Sequence, residues 1–545
     1  MKDELENGNF ISRFANNARI QADKTALIIP QMNGTDCTGE ESISYGELGN
    51  IVSQYQALWS DKGWQSGDKI IVIVKPGIAL YAIALSLLGM GIIPVFIDTG
   101  MGRKKIRMAL QDANAKAIIS MSVLLKFFWL IPEMWRLQRL SVDGKGIGYS
   151  CLQSQLSQQT GSASIIALPR DNDDHGLISF TSGSTGRPKG ADRTHDSLIQ
   201  QHLAIRSHWQ DEADDIDCPC FPVVVLHNLS CGMTTVMPKV DLANPAGVDA
   251  EQVIEQIRSL KVTRLSGAPA YMTGLVNYLL ANQQTVSEVR SLVVGGATVS
   301  LELAKGIQQV FPEAHSRIVY GSTEAEPIAS LDIDDYLNEY DQHAGYLVGE
   351  IAHQVELAIV ESGTMLETEQ QVAAAMLDEG STGEILVSGR HVLKQYLDNP
   401  LANKENKIPR ADGSVWHRTG DTGFLDQQQR IWLTGRVKDA LSISGRIIQP
   451  FPLEQKIDAL AEVRRSALMV HGNRLNLFIE LEMAKPLTPS IQQQITQVLK
   501  STSESSIEVI QLEKMPVDGR HNSKIDRPEL LARLQKNVSA QVWKL

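Results

Sequence analysis

Between residues 69 and 120 the chain alternates short β-branched runs with segments of helix length, and this rhythm limits the fold more than any other feature. Ile70-Ile71-Val72-Ile73-Val74 and Ile92-Ile93-Pro94-Val95-Phe96-Ile97 have the length and branching of strands. The spacing predicts strand 69–74, helix 78–90, strand 92–97, helix 103–113 and strand 116–120. Units of this kind bury a parallel sheet between helical layers. The stretch from Gly77 to Ile97 carries no charge and is long enough to cross a bilayer. Gly89, Gly91, Pro94 and the flanking strand patterns fit strand, buried helix, strand instead.

A second alternating block predicts helix 195–209, strand 218–225, helix 228–237, helix 251–260, strand 262–266, helix 269–282, strand 290–294, helix 300–310 and strand 316–320. Residues 1–65 read as a helix, a short strand pair and a second helix, with Ile43-Ser44-Tyr45-Gly46-Glu47-Leu48 ending a strand and opening a helix. Residues 151–175, rich in Ser and Gln and then Asp, read as a connection. From 345 to 436 short β-like pieces such as 355–360 and 383–387 suggest a small antiparallel unit. About a hundred residues remain beyond Gly435-Arg436-Val437-Lys438-Asp439, enough for a small α+β domain. The run Leu124-Leu125-Lys126-Phe127-Phe128-Trp129-Leu130-Ile131, with Trp135 beyond it, is expected to be a helix packed on the sheet. Its alternative is an apolar face on a membrane surface near a lipid-like substrate.

Hydrophobic residues at 43% and charged residues at 21% describe an ordinary globular protein of several structural units. A net charge of −12 argues against a nucleic-acid binder, which would need a basic face. An anionic substrate must therefore be held by locally placed donors. The five cysteines are scattered, and Cys218-Pro219-Cys220 has no second pair at zinc spacing, so all five are expected to be reduced and structural. The acidic, polar N-terminus does not read as a signal peptide, which makes the cytoplasm the expected location.

Phe180-Thr181-Ser182-Gly183-Ser184-Thr185-Gly186-Arg187-Pro188-Lys189-Gly190 packs three glycines, four hydroxyls, an arginine and a lysine into one stretch. Glycine lets the backbone approach an anion closely, the hydroxyls add donors, and Lys189 adds a mobile charge suited to a polyphosphate. It is not a Walker A loop, because Pro188 precedes the lysine and Gly190-Ala191 follow it. Tyr320-Gly321-Ser322-Thr323-Glu324 follows a predicted strand; Thr323 can donate to a phosphate and Glu324 can hold Mg²⁺, a hard cation that prefers oxygen ligands. Gly295-Gly296-Ala297 ends another strand in small residues, against which a flat base could lie, or is a plain turn. Arg418-Thr419-Gly420-Asp421 sets a carboxylate after a tight turn, suited to a ribose diol or to structural capping. His227 reads equally as a buried core histidine or a site residue, and Lys524 by itself as a surface charge.

Taken in order, TSGSTGRPKG, GGA, YGSTEAEP, HRTGD, GRVKD and the lysine-bearing tail resemble the adenylate-forming superfamily: acyl-CoA synthetases, peptide-synthetase adenylation domains and luciferase-like enzymes. The resemblance implies an α/β fold with a large N-terminal part, 1–437, made of two stacked α/β units to about 344 and a small β-barrel-like unit at 345–436. A mobile α+β domain, 438–545, would turn on a hinge at Lys438. It also implies ATP and Mg²⁺ as cofactors and a two-step reaction: an acyl-adenylate forms with release of pyrophosphate, then the acyl group moves to a thiol. That thiol would belong to CoA or to the phosphopantetheine of a carrier protein, and the acid would be a fatty or apolar one. By the same likeness Thr181, Ser182, Gly183, Ser184, Thr185, Gly186 and Lys189 bind the β- and γ-phosphates, and Gly295, Gly296, Ala297 and Tyr320 line the adenine slot. Thr323 contacts the α-phosphate, Glu324 binds Mg²⁺, Asp421 and Arg436 grip the ribose, His227 borders the acyl pocket, and Lys524 bridges the carboxylate and α-phosphate.

Some residues depart from this pattern. Ser442 stands where many relatives carry lysine, Pro452 where they carry glutamate, and the tail around Lys524 lacks the usual ending. With Phe96-Ile97-Asp98-Thr99-Gly100 and the expected aromatic helix, the tail is similar to the fatty-acyl branch that contains the β-lactone synthetases of olefin biosynthesis. Those enzymes close a β-hydroxy acyl-adenylate on its own hydroxyl without CoA. An amino-acid substrate, a carrier-protein partner and a peripheral membrane contact stay open. A catalytically silent relative is disfavoured by the intact Lys189, Glu324, Asp421 and Lys524.

Overall fold

The computed structural model describes residues 7–33, 36–157, 159, 164–181, 187–209, 212, 214–242, 244–443, 446–471, 474–482, 487–500, 507–517, 525–535 and 541–544. The first alternating block forms as the pattern requires. Strands Lys69–Ile73 and Ile93–Ile97 pair in parallel, and the charge-free helix Ile78–Gly89 between them is buried along most of its length. Strand Ala117–Ser120 pairs on the other side, so this sheet has parallel strands at its centre. Among the described residues no helix is long and apolar enough to cross a membrane. Near the N-terminus Ser44 caps helix Tyr45–Asp61: its hydroxyl accepts from the Glu47 amide at 3.2 Å, and the Glu47 carboxylate accepts from the Ser44 amide at 2.9 Å. This reciprocal capping box is what converts the preceding strand into a helix.

The second block forms another sheet, in which Ile216–Pro219, Arg264–Gly267, Ser291–Gly295 and His315–Ser322 run parallel. Apolar side chains of the two sheets meet in one core, where Leu27 and Ile43 of this sheet cluster with Ile70, Val72 and Leu177 of the first. Sheet–helix–sheet stacking of this kind gives the mixed α/β architecture, followed by a smaller four-stranded unit near the C-terminus (Val463–His471, Arg474–Leu481, Ile507–Leu512, Gln541–Lys544). The described cysteines are all free, in accord with the expected reduced state.

Three expectations need correction. Residues predicted as strand 218–225 split into a short strand, Ile216–Pro219, and a helix, Pro222–Cys231; the predicted helix 228–237 instead ends in strand Thr234–Val236. Pro222 opens this helix, where its missing N–H costs nothing, and Gly232 closes it at φ +78. Burial of Val224, Val225 and Leu226 outweighs the strand preference of three consecutive valines. The aromatic run is not a helix packed on the sheet: a four-residue helix, Ser122–Leu125, gives way to short turns at Phe128–Leu130 and Pro132–Met134. The strands of 345–436 pair antiparallel, and most continue the larger sheet: Tyr346–Ile351 lies between Ala325–Asp332 and Arg430–Arg436, while Gln395–Tyr396 pairs with Lys189–Thr194 of the first sheet.

Candidate active site

The change from parallel to antiparallel pairing falls at the tight connection between His315–Ser322 and Ala325–Asp332, which holds Thr323 and Glu324. The connection is fixed from both sides. Arg193 donates to the Thr323 carbonyl at 2.6 Å, and the Leu393 amide donates to the Glu324 carbonyl at 2.7 Å. The Tyr396 hydroxyl donates to Glu324 Oε1 at 2.8 Å. Two ammonium groups face the same tyrosine ring, with Lys189 Nζ 4.9 Å and Lys407 Nζ 5.4 Å from its centre, and Lys407 also donates to the Leu393 carbonyl. Burial pushes Glu324 upward, but His417, Lys407 and the Tyr396 hydrogen bond together hold it below the ordinary carboxyl range. Burial drives Lys407 down to about 7 and His417 down to about 3. An ionised carboxylate with one oxygen engaged by a tyrosine suits a hard cation at the other.

Thr181 and Lys189 are cross-strand partners in the hairpin that closes the glycine-rich loop, which brings both ends of that loop to the same place. Residues 182–186, with Ser182, Gly183, Ser184, Thr185 and Gly186, lie outside the described residues.

Another part of the site draws on four strands of one sheet, Val415–Leu425 paired with Arg430–Arg436 and Ser291–Gly295 paired with His315–Ser322. Asp421 and Arg436 are register partners, and Arg436 Nε lies 2.6 Å from Asp421 Oδ1. The Tyr320 hydroxyl donates to Asp421 Oδ2 at 2.7 Å, so one carboxylate is held by a different donor on each oxygen. Burial and the Asp421 charge push the Tyr320 hydroxyl well above its usual value, which keeps it a donor. Gly295 admits no side chain, since a Cβ would stand 2.9 Å from the Val319 carbonyl oxygen. Gly296, at φ +82, adopts a backbone that favours glycine.

At the far end His227 is buried on helix Pro222–Cys231. Its Nδ1 is 3.0 Å from His202 Nδ1, its Nε2 is 3.5 Å from Cys231 Sγ, and Trp209 meets it edge-on at 6.1 Å. The three side chains offer ligand atoms within 4.8 Å of one another. Burial, then nearby positive charge, drives His202 to about 3 and His227 well below its usual value; the guanidinium groups of Arg13, Arg206 and Arg264 act on this pair. Both imidazoles are therefore held in the neutral form, and the nearby guanidinium groups disfavour a cation between them.

A single cleft of about 1920 Å³ is lined by Thr181, Lys189, His227, Gly295, Gly296, Ala297, Tyr320, Thr323, Glu324, Asp421 and Arg436. The predicted site residues within the described part of the chain are thus brought together. Lys524 lies outside it, while Ile525 and Arg527 line the cleft. Arg527 is itself anchored, donating to both oxygens of Glu454 at 2.8 Å. Sequence reasoning missed Arg193, Tyr396 and Lys407, and gave His417 no role. Lys407 sits in the polar run Asn403-Lys404-Glu405-Asn406-Lys407, which carries no sign of burial. Tyr396 belongs to no motif, and only its position across from Lys189 marks it.

The sequence profile of AMP-binding enzymes matches residues 14–397, and the chain belongs to the AMP-binding enzyme family, whose members form adenylates. Over 542 residues it is 27% identical to an olefin beta-lactone synthetase of Stenotrophomonas maltophilia, covering 96% of this chain and 97% of that one. It is 23% identical over 445 residues to 4-coumarate–CoA ligase 2 of Petroselinum crispum, covering 79% of this chain and 76% of that one. Among solved structures, ATP-bound MatB from Rhodopseudomonas palustris shares the fold with a TM-score of 0.79 at 20% identity, over 98% of this chain and 100% of that one.

Proposed function

We propose that this enzyme activates a carboxylic acid by attack on the α-phosphorus of ATP, and that a β-hydroxy acyl-adenylate then closes on its own hydroxyl to give a β-lactone and AMP. One observation carries the first half: a single cleft gathers the doubly held Asp421 carboxylate, Lys189 and Glu324. Asp421 and Arg436 take the ribose, Gly295, Gly296, Ala297 and Tyr320 take the base, and Thr181, Lys189 and the loop residues 182–186 take the terminal phosphates. Thr323 takes the α-phosphate. A magnesium ion, where ATP brings one, would be held by Glu324 and would screen the phosphate charges. Both reactants are anionic, so catalysis consists largely of charge neutralisation and in-line positioning. Lys524, carried on the tail, supplies positive charge where negative charge builds in the transition state. His227, His202 and Trp209 border the acyl end, and the apolar Leu198, Ile205 and Val224 that line the same cleft suit a fatty or other apolar acid.

In the second half the hydroxyl oxygen bonds to the acyl carbon, the bond from that carbon to the phosphate oxygen breaks, AMP leaves with the electron pair, and the hydroxyl proton passes to solvent. The full-length likeness to a β-lactone synthetase supports this acceptor, as do Ser442 and Pro452 in the face expected to serve the second step. Transfer to the thiol of CoA or a carrier protein is the second reading, supported by the likeness to a CoA ligase and the retained GRVKD motif. Incubation with ATP, Mg²⁺ and long-chain β-hydroxy acids in the absence of any thiol tests both. AMP plus β-lactone is expected. A strict CoA requirement with thioester as product would decide for the second reading, and no pyrophosphate exchange with any acid would refute adenylation.

A further inference from the structure

The aromatic segment that does not pack as a helix leaves its bulky side chains in solvent. Trp129 is 60% exposed, Trp135 59% and Ile147 95%, and Val123, Phe127 and Leu130 are also exposed. None of the six lines the cleft. They are held in one place by several bonds. Arg107 pairs with Glu133 at 2.9 Å, and the Ser122 amide donates to Asp143 at 2.6 Å. Arg139 stacks 4.2 Å over Phe128 while donating to the Gly148 carbonyl at 2.8 Å, which ties the turn bearing Ile147 to the aromatic turns. The patch is therefore fixed in place, and exposed apolar groups gathered in this way mark an interaction site.

Charge selects the partner. Residues 103–145 hold nine Lys and Arg against three Asp and Glu, in a chain whose net charge is −12. Lys126 and Arg136, next to the tryptophans in sequence, and Lys145, beside the Ile147 turn, are exposed, as are Arg103 and Lys104. We infer that this face docks on an anionic phospholipid surface, its tryptophans and leucine entering the headgroup–acyl boundary and its basic residues meeting the lipid phosphates. Exposed tryptophans with basic side chains beside them suit the boundary between anionic headgroups and acyl chains, where an aromatic body and a cationic rim are both satisfied. The Trp135 indole N–H donates to the Trp129 carbonyl at 3.3 Å, so that ring can leave water without losing its hydrogen bond. Self-association through the same face would set two basic rims against each other.

The test is co-sedimentation of the full chain with vesicles of phosphatidylcholine alone or with 30% phosphatidylglycerol, at low and high salt. Binding is expected only to the anionic vesicles, falling with salt, and accompanied by a blue shift of tryptophan emission. Trp129→Ala/Trp135→Ala should weaken partitioning about tenfold. Lys126→Glu/Arg136→Glu should weaken it by about fivefold or more per residue, and Ile147→Asp is a milder check that leaves the aromatic turns intact. Unfolding midpoints of all variants should match the parent. Absence of binding to anionic vesicles, equal binding to neutral ones, or binding indifferent to the tryptophan and Ile147 substitutions would overturn the inference. So would an oligomer that the tryptophan substitutions dissolve, or capture of an acidic carrier protein by this face instead of lipid.

Discussion

Replacement of Asp421 by asparagine tests the nucleotide end of the cleft directly. The side chain keeps its shape but loses the charge that faces Tyr320 at 2.7 Å and Arg436 at 2.6 Å. The Arg436 side chain is 46% exposed, so loss of that ion pair costs the fold roughly 1 kcal/mol or less. Hydrogen bonds from the ribose hydroxyls to a charged acceptor are worth about 1.5–3 kcal/mol. Asp421→Asn should therefore raise the KM for ATP by about 10- to 150-fold in acid-dependent ATP–pyrophosphate exchange, with little change in melting temperature. The decisive control removes the other partner. With 2′,3′-dideoxy-ATP the parent should already be weak, and the substitution should cost it less than about threefold, since the hydroxyls that Asp421 would bind are gone. An equal loss with both nucleotides would show that Asp421 acts on the site through Tyr320 or Arg436 and does not grip the ribose.

Three further outcomes follow from other residues. Lys407→Met removes a buried ammonium that helps hold Glu324 ionised and donates to the Leu393 carbonyl; the melting temperature should fall while the KM for ATP increases several-fold, and an unchanged KM would refute a role for Lys407 at the site. Lys438→Pro should spare adenylation, read by pyrophosphate exchange, more than product formation in the second step, because it stiffens the turn Val437–Asp439; equal losses would remove the hinge from that turn. His195, fully buried with Nδ1 accepting from the Phe10 amide at 3.2 Å, is held down to about 4 by burial. It binds a proton more readily unfolded than folded, so stability should fall as pH drops from about 6.5 towards 4, by up to about 3 kcal/mol, and His195→Gln should flatten that slope in denaturant titrations.

Much of this architecture is written locally. The Ser44–Glu47 box, the β-branched strands around Ile71 and Val95, and the uncharged helix between them could all be read because near neighbours in sequence determine them. Val223, Val224 and Val225 show where that fails: Pro222 and Gly232 set the ends of a helix, and burial of Val224, Val225 and Leu226 outweighs the strand preference of the run. Within the candidate site, Thr323, Glu324, Asp421 and Arg436 were legible as motif residues because short turns place them. Tyr396 and Lys407 were not, since each matters only through the ring and charges that folding brings beside Glu324. The aromatic run carried two readings because hydrophobicity alone does not tell a buried face from an exposed one.

The single sheet that runs from the parallel strands through Arg430–Arg436 has one more consequence. Arg436 closes its strand, and the turn holding Lys438 begins at the very next residue. The proposed handle on the nucleotide and the proposed fulcrum of the trailing domain would thus be separated by one residue of chain, with no slack to absorb a twist. Re-angling the fulcrum drags the handle with it, so nucleotide affinity and domain rotation in this enzyme would be inherited, and altered, as one trait.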